Sequence, residues 1–157
     1  MATAEVRRAT VDDAARVAAL LHDFNTEFDT PTPDVEVLAH RLSHLLGDGM
    51  TFAVLAGEPT VAVALVTMRT NVWYDGPVAL LDELYVVPDR RGQGIGSAVV
   101  DLVVTTCRAH RVALIEINVD EGDVDAQRFY ERLGYSATEP DSGERAFSYA
   151  RELPSLP

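Results

Sequence analysis

The run Arg90-Arg91-Gly92-Gln93-Gly94-Ile95-Gly96-Ser97 is where the residue types and spacing of this 157-residue chain speak most directly of chemistry. Alternate glycines free the backbone, so successive N–H groups can turn into one concavity. The apolar-periodic segment beyond them adds the unpaired N–H groups and partial positive charge of a helix start. Such a cradle takes an anion, a phosphate above all. Arg90 and Arg91 place positive charge at its lip. Leu84 to Val87 reads as the strand that feeds it, and Pro88 ends the ladder because it has no N–H to give. Just upstream, Asp82 and Glu83 are two adjacent acids in an otherwise apolar strand.

Three phosphate-binding patterns compete for these glycines. A Walker loop ends in a Gly-Lys pair, and the chain contains no lysine; all 13 of its cations are arginine. The dinucleotide fingerprint G-x-G-x-x-G fits poorly, because Ser97 stands where its last glycine belongs. What remains is R-x-x-G-x-G, filled by Arg91, Gly94 and Gly96. Leu84-Tyr85-Val86, Pro88 and this loop together resemble the acyl-coenzyme A motif of the GNAT superfamily of N-acetyltransferases. Further on, Ala126-Gln127-Arg128-Phe129-Tyr130-Glu131-Arg132-Leu133-Gly134-Tyr135 resembles the second signature of that superfamily, an alanine followed four residues on by a tyrosine. The resemblance covers about Leu80 to Tyr135; the N-terminal half matches in element order alone.

The resemblance implies an α/β fold (an α+β mixed sheet). Its central, mostly antiparallel sheet has splayed parallel central strands with helices on both faces. Acetyl-coenzyme A would lie in the opening. The backbone of Leu84, Tyr85 and Val86 would pair with the pantetheine arm like an added strand. Arg91, Gly92, Gln93, Gly94, Ile95, Gly96 and Ser97 would hold the pyrophosphate, and Asn118 would hydrogen-bond coenzyme or substrate. Acetyl transfer to an amine needs a base, because an ammonium of pKa roughly 10.4 is only about one part in a thousand neutral at pH 7. Glu83 is the first choice and Asp82 the second. Side chains alternate along a strand, so one of the two faces the cleft. Tyr130 falls where the family often has a general acid for the departing sulfur; its alternative role is packing. Asp123 departs from the asparagine common in the family and suits a helix N-cap.

Composition bounds the rest. The length and 47% hydrophobic content suit one globular domain over residues 1–157. No apolar run is long enough to span a membrane, and the N-terminus lacks a signal-peptide core, so a cytoplasmic protein is expected. A single cysteine, Cys107, forms no internal disulfide and reads as a small core residue. The net charge of −12 argues against nucleic acid. His40 and His44 lie four apart without the pattern of a metal site, and no metal is expected. The expected activity is acetyl-coenzyme A-dependent transfer to a primary amine, on a cationic small molecule or a peptide. The alternative is a non-catalytic acyl-coenzyme A sensor, and homodimer formation is left open.

The elements that must position these groups follow from periodicity and punctuation. Val6 to Ala9 reads as a strand, and Thr10 with the acids after it as a helix start. Ala14, Val17, Leu21, Phe24 and Phe28 form one helical stripe. Thr30-Pro31-Thr32-Pro33 breaks that helix, and Asp34 caps a second through Leu45. Thr51 to Ala56 and Thr60 to Arg69 read as a hairpin. Asn71 to Pro77 is a loop, followed by the strand into the glycines, a helix to about His110, a strand from Val112 to Val119 and a short helix from Val124 to Leu133. The strand, helix, strand order implies parallel pairing. Phe147 to Ala150 reads as a last strand. Asp23, Glu27, Asp29 and Asp34 bracket the break between the first two helices. They could receive a cationic amine, with Phe24, Phe28, Trp73 or Tyr74 as walls.

Overall fold

The computed structural model describes residues 4–155. They divide into two compact units, one ending at Ile117 and the other starting at Asn118.

The first unit is built on a five-stranded sheet in the order β1-β2-β3-β4-β5. The strands are β1 (Val6–Arg8), β2 (Thr51–Ala56), β3 (Ala62–Arg69), β4 (Val78–Val86) and β5 (Leu114–Ile117). The first four pair antiparallel, whereas β4 and β5 run parallel. The parallel pair follows from the helix α3 (Ile95–Ala109), which returns the chain to the start of the sheet edge. Every residue of β2 is buried, so both faces of the sheet are covered. On one face Ala53, Leu55, Val63 and Tyr85 pack with Val17, Ala18 and Leu20 of α1 (Ala14–Glu27) and Leu42 of α2 (Val35–Leu45). By alternation Phe52, Val54, Ala64 and Val66 point to the other face, where α3 lies along β1 to β4 with Val99, Val100, Val103 and Cys107 buried. The β-branched residues of α3 are poor helix formers; burial against the sheet overrides that preference.

Local chemistry fixes the entry to α1. A short 3-10 turn, Val11–Asp13, precedes it. The Asp13 carboxylate accepts from the Thr10 backbone N–H at 2.8 Å and from both terminal nitrogens of Arg7, each at 2.8 Å. Thr10 therefore opens the 3-10 turn rather than the α-helix itself.

Two sequence expectations are corrected. The strand expected over Val112 to Val119 is shorter, because Val112 N–H closes α3 onto the Cys107 carbonyl at 2.9 Å and the pairing with β4 ends at Ile117. Phe147 to Ala150 forms no ladder: Phe147 and Tyr149 are exposed, and the second unit holds only an isolated bridge between Thr138 and Arg145. Among the described residues β5 is the last strand of the sheet order and pairs in parallel with β4.

In the second unit, α4 (Val124–Arg132) starts on Asp123, whose Oδ1 accepts from Ala126 N–H at 3.0 Å. The capping role expected for this departure from the family pattern is what the structure shows. Gln127 Nε2 ties the same turn by donating to the carbonyls of Asp120 and Glu121.

Candidate active site

The site of the first unit is organised by a mismatch in length. Strand β4 pairs with β5 only over Val78 to Leu81 but continues to Val86. Five residues, roughly 16 Å of strand, thus have an edge that β5 does not occupy. Val87 N–H donates to Val61 C=O at 3.0 Å. Counting back by the alternation of an antiparallel ladder, Tyr85 also turns its backbone groups into β3, while Leu84 and Val86 turn theirs to the opposite edge. Of the three residues expected to offer backbone to a pantetheine arm, Leu84 and Val86 thus turn away from β3, with the Val86 C=O accepting from Arg91, and Tyr85 contributes its ring to the core.

The same strand carries an irregularity at the acids. Leu65 pairs with Glu83 and Val66 with Leu81, so Asp82 is an extra residue, a β-bulge. Strict alternation therefore fails at this point, and with it the expectation that only one acid faces the cleft. Asp82 Oδ2 accepts from Thr67 Oγ1 at 2.5 Å, and Thr67 lies on the face of β3 that also carries Leu65, the partner of Glu83. Both carboxylates lie on the side of the sheet that α1 covers. Burial, then the charge of Asp82, raises Glu83 above its ordinary value. Burial also raises Asp82, although the Thr67 hydroxyl works against it.

Beyond Val86 a 3-10 turn, Pro88–Arg90, leads into the glycines. Gly92 and Gly94 have φ of +72° and +79°, a left-handed conformation that side chains with a Cβ adopt at a cost. Gly94 is the N-cap of α3 and supplies no capping side chain. No heavy atom lies within 4 Å of where a Cβ on either glycine would stand. The first-turn N–H groups of α3, at Ile95, Gly96 and Ser97, therefore lie beside open backbone. The Ile95 side chain itself is buried, so only its main chain is offered. This is the donor set and the space that a pyrophosphate requires.

The arginines at the lip are held by specific partners. Arg91 donates from Nε to Val86 C=O at 2.9 Å and from a terminal nitrogen to Glu27 Oε2 at 2.6 Å. Its guanidinium also lies 5.6 Å from the centre of the Tyr85 ring, which stacks on Phe24 at 5.2 Å. Arg90 is engaged with Gln93, Nε to Oε1 at 3.2 Å. Glu27 and Thr67 were not picked out as contact residues of the loop and the acids from the sequence. Each meets its partner across 64 and 15 residues respectively, and no local pattern marks such pairs.

The cation site expected from α1 changes accordingly. Glu27 is already paired with Arg91. Trp73 and Tyr74 lie in the loop before Val78, at the far end of β4 from Arg91, and cannot wall the same pocket. That loop borders a cavity of about 320 Å³ lined by Met50, Met68, Tyr74 and His110.

Two residues expected at the site, Asn118 and Tyr130, belong to the second unit. Asn118 is its first residue, directly after β5. Tyr130 lies in α4 with its ring 5.1 Å from Phe129 and 5.9 Å from Tyr135. Among the described residues no group of histidine, cysteine and carboxylate side chains is arranged to hold a metal ion, and no helix is long and apolar enough to cross a membrane.

Comparison with known proteins adds to this geometry. The model of the acetyltransferase (GNAT) family matches residues 16–135. A candidate acetyltransferase from Arthrobacter sp. FB24 has a crystal structure that superposes with a TM-score of 0.89, at 54% identity over 95% of this chain and 96% of that one. An uncharacterized N-acetyltransferase of Methanocaldococcus jannaschii is 29% identical over 96 residues, which are 61% of this chain and 42% of that protein. The chain thus spans less than half the length of that curated relative. An aminoglycoside acetyltransferase from an uncultured soil metagenomic sample, crystallised with sisomicin, shares the fold with a TM-score of 0.78 at 18% identity over 96% of this chain and 97% of that one.

Proposed function

Because the chain belongs to the GNAT acetyltransferase family, we propose that it is an acetyl-coenzyme A-dependent N-acetyltransferase in which a primary amine attacks the acyl group directly. The observation that carries this reading is the run from bulge to cradle along one strand: Asp82 and Glu83, the open edge at Leu84 and Val86, and the glycine turn into α3.

When bound, acetyl-coenzyme A supplies an acyl group activated on sulfur. Leu84 and Val86 offer strand-like backbone groups to its pantetheine arm, less the Val86 carbonyl that Arg91 occupies. The first-turn N–H groups from Ile95 to Ser97 hold its pyrophosphate. Gly92 and Gly94 keep that approach free of side chains. Glu83 takes the proton of the acceptor ammonium. Burial and the neighbouring charge of Asp82 raise its pKa, which makes it a stronger base than an ordinary carboxylate. Tyr130 is assigned to return a proton to the departing sulfur, and Asn118 to a hydrogen bond with coenzyme or acceptor. The acceptor is a cationic small molecule or peptide amine, since two carboxylates on one face favour a positively charged group.

The test is calorimetric titration with acetyl-coenzyme A followed by thioester turnover across a panel of amines. Saturable binding with acetylated product is expected. Binding without turnover on any amine would make the chain an acyl-coenzyme A sensor, and no binding would remove the reading altogether.

A further inference from the structure

The bulge places two carboxylates side by side, and a reaction that uses one of them as base needs the other kept out of that role. We infer that Thr67 is a positioning residue that divides their labour, tying Asp82 to β3 and leaving Glu83 as the carboxylate free to take the acceptor's proton. This rests on the acetyl-transfer reading above and deepens it.

The geometry carries the inference in three steps. Asp82 is the residue without a partner in the ladder, so its direction is set by its side-chain contact rather than by pairing. That contact is the Thr67 hydroxyl, at 2.5 Å from Oδ2. Along β3 the buried positions Val66 and Met68 alternate with exposed Thr67 and Arg69, so the hydroxyl stands on the less covered stretch of the face toward which Glu83 points. Among the described residues no side-chain donor ties Glu83 in the same way: Arg69 is paired with Glu116 of β5 at 3.1 Å, and Arg91 with Glu27 of α1. Asp23 is a further acid of α1, the helix that packs on β3 and β4.

A donated hydrogen bond stabilises the ionised carboxylate. The Thr67 hydroxyl favours Asp82 as an ionised member of the pair. Without it Asp82 takes up a proton more readily, and Glu83 is relieved of part of a neighbouring charge.

The experiment is a carbon-13 NMR titration of the Asp82 and Glu83 carboxyl groups in the wild-type protein, Thr67→Val and Thr67→Ser, beside pH profiles of kcat/KM. Valine keeps the shape and suits a strand; a thermal melt checks that it folds, and Thr67→Ala is the second variant. Thr67→Val should raise the Asp82 midpoint by about one pH unit, lower that of Glu83, and move the acid limb of the rate profile to lower pH. Serine should restore the wild-type midpoints. Unchanged midpoints overturn the positioning role whatever the activity, and shifted midpoints with an unmoved limb remove it from the reaction. A merely structural role would lower the rate at every pH and leave both midpoints in place. Failure of the function reading is seen separately, as full activity in Glu83→Gln or no transfer in any protein.

Discussion

At the scale of single residues, two carboxylates with opposite shifts divide function from stability. Burial and the charge of Asp82 raise Glu83, so turnover should fall as the pH drops through a value above the ordinary glutamate pKa of about 4.3. Glu83→Gln should reduce kcat by about a hundredfold or more, the usual contribution of a general base, with the calorimetric affinity for acetyl-coenzyme A unchanged. Asp82→Asn should cost about tenfold or less, because it removes a charge that strengthens the base rather than the base itself. The reverse ranking in steady-state assays would make Asp82 the base. Asp13 goes the other way. The Arg7 guanidinium holds its carboxyl well below the usual range, against the opposing effect of burial. Its contribution to stability is therefore complete above the unfolded value of about 3.9 and lost progressively as the pH falls below it. Asp13→Asn should cost about 2 kcal/mol at neutral pH, and the gap between the two proteins in thermal melts should narrow toward pH 3. A gap that stays constant with pH would place the cost elsewhere.

At the scale of elements, the turn between β4 and α3 makes the cradle by conformation rather than by side chains. Gly94 caps α3 with φ +79° and open space where a Cβ would be. Gly94→Ala should therefore cost about 1 kcal/mol of stability, for the left-handed backbone alone. Gly94→Glu should in addition abolish coenzyme binding, since its carboxylate enters the space assigned to the pyrophosphate. Calorimetry on the two variants separates the effects, and equal losses of affinity would refute the assignment. This turn was legible in the sequence because glycine, proline and a helical stripe each leave a local mark, as do Phe24 in its stripe and Asp123 at its cap. What could not be read is what pairing decides. The bulge at Asp82 arises from the register between β3 and β4, and a one-residue offset leaves no trace in either strand alone. The same holds for Arg91, which reads as a free cation until α1 brings Glu27 to it. The last strand was misjudged because four residues of weak alternation cannot tell a paired strand from an extended exposed one.

At the scale of the whole molecule, the charge and the site pull the two proposed substrates in opposite directions. With 25 acids against 13 arginines the chain carries −12, a field that draws cations in and holds polyanions off. On the face with the bulge stand Asp82, Glu83 and Glu116, and among the described residues Arg69 pairs there with Glu116 while neither Asp82 nor Glu83 has an ion-pair partner, so the local charge has the sign of the whole. A polycationic amine should gain from both. Acetyl-coenzyme A, a polyanion, must reach its cradle against the net charge, and its capture rests on short-range N–H groups that salt screens little. The Debye length shrinks from about 20 Å to below 8 Å between about 20 and 200 mM salt. Over that range the KM of a polyamine or aminoglycoside acceptor should rise several-fold, whereas the KM of acetyl-coenzyme A should stay level or fall. A monoamine bearing no further charge should show a smaller rise than the polycations. Steady-state assays at the two salt concentrations, with each substrate varied in turn, decide the matter. A preference for neutral or anionic acceptors that is indifferent to salt would show that the acidic surface serves solubility and that the acceptor is chosen by shape.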